Sequence, residues 1–158
     1  DENPTGRLLV INRGEHDLIR EKLKAAGVPD HSFELRAAVH AEIPGEMARM
    51  RAGVFFIKQA YSKIAAAPVR LGEYLGCGIP CLSNSGVGDM AEILRDEGVG
   101  VVVDTFDDET LALALRQLLL LAVTPSTSAR CVAAAHKHFS LAEGTERFAR
   151  VYRQLDAL

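Results

Sequence analysis

Four short apolar runs, each followed by a turn and a stretch of helical periodicity, constrain this chain more than any other feature. They are Leu8-Leu9-Val10-Ile11, Val54-Phe55-Phe56-Ile57, Ile79-Pro80-Cys81-Leu82 and the segment Gly98 to Val103. Runs of this kind suit strands buried on both faces of a parallel sheet. A further strand is expected from Phe33 to Val39, where Glu34 and Arg36 leave one side exposed. Between Glu15 and Ala26, Leu18, Ile19, Leu23 and Ala26 recur at helical spacing and Gly27 closes the helix. Ile43-Pro44-Gly45-Glu46 opens a short helix with proline in its first turn. Pro68 opens another, with Leu71, Tyr74 and Leu75 facing inward, and Met90 to Arg95 forms the next. Three helices close the chain, at 107–122, 126–138 and 141–155. In the last, Leu141, Phe148, Val151, Tyr152 and Leu155 recur near helical spacing, which predicts an apolar stripe left partly uncovered.

This alternation predicts an α/β fold with right-handed crossovers and a mostly parallel sheet. Ligands of such sheets lie beyond the carboxyl ends of the strands. The loops in that position are 12–15, 40–42, 58–67 and 83–89.

At 158 residues the chain is long enough for one domain, and 48% hydrophobic with 25% charged residues is a globular balance. A net charge of −3 and a pI near 6.0 argue against a nucleic-acid surface, which needs a basic face. No run approaches the roughly 18 apolar residues of a spanning helix. Asp1 to Gly6 is polar and carries no secretory signature. Cys77, Cys81 and Cys131 form no C-x-x-C pair, so they read as small thiols in a reducing, cytoplasmic compartment. The histidines are scattered; His136 and His138 are two apart on one helix and face different ways, so no metal site is expected.

Three loops can carry chemistry. Ser83-Asn84-Ser85-Gly86-Val87-Gly88-Asp89 leads into a helix, and its amides can meet an anion such as a diphosphate. Ser62-Lys63 lies in the next loop toward the N-terminus, where Lys63 can reach phosphate. On the helix after Pro68, the Glu73 carboxylate can accept two hydrogen bonds from the vicinal hydroxyls of a ribose. Its bland alternative is an ion pair with Arg70 on a solvated helix face. Arg13 follows the first strand and is a further phosphate candidate.

The segment Ser62-Lys63-Ile64-Ala65-Ala66-Ala67-Pro68-Val69-Arg70-Leu71-Gly72-Glu73-Tyr74-Leu75-Gly76-Cys77-Gly78-Ile79-Pro80 resembles the S-K-x-x-S-S-P-T-K-x-x-E-Y-L-A-C-G-x-P stretch of group 1 (family 4) glycosyltransferases. Val87-Gly88-Asp89-Met90-Ala91-Glu92-Ile93 is similar to their V-G-G-x-x-E-x-I, and Gly98 to Val103 to their G-x-L-V. Phe139-Ser140, with Val151-Tyr152 later, is similar to their closing F-S…Y helix. Ala65 stands where the family's first glutamate stands, Ala66 and Ala67 replace the two serines, and Asp89 replaces the second glycine of V-G-G.

The resemblance implies a Rossmann-like three-layer domain, one half of a GT-B fold. All of 1–158 would be the C-terminal, donor-binding half, clipped at its start and lacking the N-terminal acceptor domain. It implies a glycosyltransferase of hexosyltransferase type that takes a nucleotide-diphosphate sugar, in synthesis of a cell-surface polysaccharide or glycolipid. Glu73 matches the family's ribose-binding glutamate. Donor contacts are expected from Glu73, Lys63, Ser62, Arg13, Ser85, Gly86, Gly88 and Asp89; no catalytic residue is assigned. No metal or other cofactor is expected, and no nucleic-acid partner. Any membrane contact, peripheral at the inner face, would come through the absent half. Without that half the fragment is expected to be inactive in transfer. Two alternatives stay open: a nucleotide-binding or protein-interaction module without turnover, and a sugar-nucleotide epimerase on the same fold.

Overall fold

The computed structural model describes residues 6–155. The chain divides into two compact units, Asp1–Met50 and Arg51–Leu158. In the first, strand β1 (Leu8–Ile11) pairs in parallel with β2 (Phe33–Arg36), Leu8 opposite Phe33 and Ile11 opposite Arg36. Helix α1 (His16–Ala25) makes the crossover, and α2 (Ile43–Met47) follows β2. The strand expected to run to Val39 stops at Arg36, and the chain then turns through a 3-10 turn, His40–Glu42. Burial here is sparse. No residue of α1 is buried, and Phe33, Ala38 and Met47 are the buried apolar side chains among the described residues of the unit. The Arg20 guanidinium lies 5.7 Å from the centre of the Phe33 ring, a cation–π contact. Glu34, Arg36, Glu46 and Arg49 form a network of ion pairs from β2 to α2, with Arg49 at 2.7 Å from both Glu34 and Glu46. Hydrogen bonds from Arg49 and then Arg36 hold the Glu34 carboxyl below its ordinary range.

The second unit is built on a parallel sheet ordered β3-β4-β5, from Gly53–Val54, Cys81–Asn84 and Gly100–Val103. Along β4, successive side chains point to opposite faces. Cys81 joins Leu71 and Leu75 of α3 (Val69–Gly76), Met90 and Leu94 of α4 (Met90–Asp96), and Cys131 of α6 (Thr127–Phe139). Leu82 joins the other cluster, with Val103 and with Ala114 and Leu118 of α5 (Asp108–Val123). The sheet is therefore covered on both faces, the expected three layers. Gly100 admits this packing because a methyl group there would strike the Cys81 carbonyl and the Leu94 side chain. Cys81 and Cys131 are buried in the core, and burial pushes the Cys131 thiol up to about 11; Cys77 is exposed.

Two expected boundaries move. The third strand was expected at Val54–Ile57 but pairs only through Gly53–Val54, and the strand expected at Ile79–Leu82 runs Cys81–Asn84. Ser83 and Asn84 therefore belong to the strand, at 0% and 1% exposure. They pair with Val102 and Val103 of β5, and their burial is met by the Ser83 hydroxyl donating to the Phe55 carbonyl at 2.8 Å and by three hydrogen bonds of the Asn84 side chain. No single helix among the described residues is long and apolar enough to cross a membrane. Helix α7 (Leu141–Leu155) carries its expected stripe in the open, with Leu141, Phe148 and Tyr152 at 85%, 70% and 65% exposure.

Candidate functional site

The carboxyl ends of β3, β4 and β5 carry the loops that matter in the second unit. Asn84 organises them. The Ile57 amide donates to Asn84 Oδ1 at 2.8 Å, and Asn84 Nδ2 donates back to the Ile57 carbonyl at 3.0 Å and to the Ser85 carbonyl at 2.9 Å. This side chain takes the place of a neighbouring strand and fixes the chain leaving β3. Sequence reasoning placed Asn84 in a flexible loop; a polar residue at the end of an apolar run was the available signal.

The glycine loop is shorter than expected, running from Ser85 to Asp89. Gly86 and Gly88 have φ of +79° and +50°, values that favour glycine. A methyl group on Gly88 would collide with the Ala66 carbonyl, so only glycine lets the two loops meet there. The Gly88 amide donates to the Ile64 carbonyl at 3.0 Å. It joins this loop to the one that bears Lys63. The Ser85 amide is spent on Val103, leaving its hydroxyl. Among the described residues, the amides of Gly86, Val87 and Asp89 have no protein acceptor; Gly86 and Asp89 are exposed, whereas Val87 is buried in the core. Such amides in a tight turn make an anion-binding concavity. Helix α4 is seven residues long, so the loop amides rather than a long helix supply the positive potential. Asp89 sits at the N-cap of α4, exposed and making no side-chain cap bond.

Ser62 and Lys63 lie in a 3-10 turn, Tyr61–Lys63, closed by the Lys63 amide on the Ala60 carbonyl. Both are exposed, and Lys63 has no carboxylate partner among the described residues. The structure thus brings Ser62, Lys63, Gly86, Gly88 and Asp89 into two abutting loops.

Glu73 is half-buried on α3. The Arg70–Glu73 ion pair considered from the sequence does not form: the Glu73 carboxylate has no ion-pair or hydrogen-bond partner among the described residues. Its side chain lines an open groove of about 700 Å³ between α3 and α6, with Ala67, Gly72, His136, Phe139 and Ser140. Gly72 is what lets the groove floor close, since the Phe139 ring stands where a Cβ would be. The groove begins at Ala67, next to the Ala66 carbonyl that abuts Gly88.

Arg13 belongs to the other unit. It sits in a turn held by Asn12, whose Oδ1 accepts from the Gly14 and Glu15 amides at 2.9 and 2.8 Å. Its side chain is exposed and has no carboxylate partner among the described residues.

A family model described as "Glycosyl transferases group 1" matches residues 2–138. Among solved structures, the chain is similar to WaaG, a glycosyltransferase involved in lipopolysaccharide biosynthesis, at 18% identity and a TM-score of 0.68 over 85% of this chain and 35% of that one. It is also similar to sucrose-phosphate synthase from Thermosynechococcus elongatus, at 17% identity and a TM-score of 0.74 over 99% of this chain and 40% of that one. At such identities the likeness is one of fold, the GT-B type, and the chain spans 35–40% of the length of these structures. No curated protein matches the chain.

Proposed function

This chain belongs to the group 1 glycosyltransferase family, and from that premise we propose that its Arg51–Leu158 unit holds a nucleotide-diphosphate sugar for glycosyl transfer. The observation that carries the reading is Glu73: an unpaired, half-buried carboxylate lining a groove of about 700 Å³. A carboxylate is acceptor-only and suits the paired 2′- and 3′-hydroxyls of a ribose. The diphosphate would take the free amides of Gly86 and Asp89, with Lys63 as the cation and the Ser62 and Ser85 hydroxyls as neutral donors. Donors fixed before the reaction stabilise the charge that grows on the leaving diphosphate without reorganising. In this reading no metal is needed, because amides and side-chain cations meet the charge. Arg13 remains a phosphate candidate on its own unit. The setting proposed is synthesis of a cell-surface polysaccharide or glycolipid, with the acceptor held by a further domain, so that the chain alone transfers no sugar.

One observation favours a second reading, binding without turnover: the exposed Asp89 carboxylate sits at the head of α4, beside the amides offered to the diphosphate. Like charge there weakens anion binding.

Calorimetric titration of UDP and GDP into the wild type and Glu73→Gln tests the proposal. Hydrogen bonds to a charged acceptor contribute about 1.5–3 kcal/mol. The variant should therefore bind the better nucleotide roughly tenfold or more weakly. Equal affinities, or no binding to the wild type, would refute it. A donor-hydrolysis assay on protein that binds separates the two readings.

A further inference from the structure

A second pocket, of about 350 Å³, opens at the carboxyl ends of β3 and β4 and is lined by Phe56, Ile57, Lys58, Gln59, Asn84 and Phe106. It shares no lining residue with the groove of Glu73. Phe56 and Phe106 meet edge to face, with ring centres 5.2 Å apart and planes at 86°. They are nevertheless 42% and 53% exposed. Each is presented by a loop locked with polar clamps. Asn84 pins Ile57 on one side. On the other, Asp107 accepts from the Thr105 hydroxyl at 2.7 Å, from the Thr110 amide at 2.9 Å and from the Thr110 hydroxyl at 2.8 Å. Two exposed aromatic rings held on two rigid loops form a preorganised surface, not a core contact left incomplete.

The remaining groups define what fits. Lys58 is the only charged side chain in the lining and has no carboxylate partner among the described residues. Gln59 spends its amide nitrogen on the Ser85 carbonyl at 3.0 Å, which leaves its oxygen to accept. Both Asn84 Nδ2 hydrogens are spent on the protein and its Oδ1 accepts from the Ile57 amide, so at 1% exposure it serves as a wall. In an edge-to-face pair, one ring uses only its edge, so both of its electron-rich faces stay open. Such a face suits the weakly positive C–H face of a pyranose, whose hydroxyls can donate to Gln59. The volume is near the low end for small-molecule sites, about 300–1,000 Å³, and admits one ring rather than a chain.

We propose that this pocket binds a pyranose bearing an anionic substituent, its ring against Phe56 and Phe106 and its phosphate or carboxylate on Lys58. Gln59 reaches the Ser85 carbonyl and stands where a Cβ on Gly86 would be, so the pocket adjoins the loop offered to the donor diphosphate.

The test follows the ring signals of Phe56 and Phe106 by NMR in the whole chain, with glucose 6-phosphate, glucuronate, glucose, inorganic phosphate and uridine as separate probes. Glucose 6-phosphate or glucuronate should shift both rings saturably, glucose should bind more weakly, and inorganic phosphate and uridine should leave the rings unmoved. Phe106→Ala, at an exposed position, should weaken the better anionic sugar by roughly fivefold to tenfold. Lys58→Met should erase its advantage over glucose while the rings still respond to sugar. Rings that ignore both anionic sugars, or that respond equally to uridine, overturn the proposal. The two readings fail separately. Sugar binding without UDP or GDP binding would sink the donor proposal but leave the sugar pocket. Nucleotide binding with silent rings would sink the pocket alone.

Discussion

Leu71, Leu75, Leu94 and Leu118 of the Arg51–Leu158 unit are wholly buried, whereas among the described residues up to Met50 the buried apolar side chains are Phe33, Ala38 and Met47. The glycines differ in the same sense. Gly53, Gly72, Gly88 and Gly100 each hold open a place that a neighbour fills, though Gly76 and Gly144 of the same unit do not, while Gly14, Gly27 and Gly45 have no atom near a Cβ. The larger unit is specified by close packing on both faces of its sheet. The smaller one rests on a two-stranded ladder, one cation–π contact and a network of exposed charges. Exposed ion pairs contribute little individually. Precise placement of a ligand needs rigid support, and the clamped loops with their unspent amides belong to the packed unit.

The widest separation between the units should come from the core. Leu75→Ala removes a wholly buried side chain of α3 and should cost about 2–5 kcal/mol. Leu18→Ala, on α1 at 51% exposure, should stay within about 0.5 kcal/mol. Urea denaturation of both variants checks this, and similar losses would break the contrast.

A smaller effect tests the junction of the two loops. Gly88→Ala forces a methyl group against the Ala66 carbonyl and should cost about 1–3 kcal/mol, as overpacking does. Gly14→Ala meets open space. A melting temperature lowered by Gly14→Ala as much as by Gly88→Ala would show that the junction carries no strain-sensitive packing.

These contrasts also show which parts of the molecule could be read in advance. Strand β1 and helix α7 fall at the expected residues, because an apolar run and a helical stripe are local patterns. The start of α3 after Pro68 is local too, since proline sets its own φ. The ends of β3 and β4 were not legible. Ser83 and Asn84 read as loop residues by polarity; they pair with β5, and their burial is met by partners 28 and 27 residues away, Ser83 donating to the Phe55 carbonyl and Asn84 accepting from the Ile57 amide and donating to its carbonyl. The loss of the Gly88 amide to Ile64 was hidden for the same reason. Glu73 was legible as a candidate from its place on the helix and its family match; that Arg70 leaves it unpaired was not. Phe106 stands in an acidic stretch, Asp104 to Asp108, and nothing in that stretch announces its contact with Phe56.

The smallest effect is a pH dependence. Hydrogen bonds from the Thr110 amide, then from the Thr105 and Thr110 hydroxyls, lower the Asp107 carboxyl from 3.8 to about 2. A carboxyl lowered in the folded state adds stability that is present above its unfolded value and is lost as pH falls through the folded one. Asp107→Ala should therefore flatten the fall in stability between about pH 4 and pH 2. Thermal melts across that window check it, and an unchanged acid limb would remove Asp107 from the account of how the Phe106 loop is held.

The central claim, that the loop after β4 receives the donor diphosphate, is tested most directly by amide NMR under titration with UDP and GDP. The exposed amides of Gly86 and Asp89, which have no protein acceptor, should shift and gain protection from exchange at saturation with the better nucleotide. The Gly88 amide, already bonded to Ile64, should keep its protection throughout. Saturable nucleotide binding that leaves the Gly86 and Asp89 amides unmoved would contradict the account.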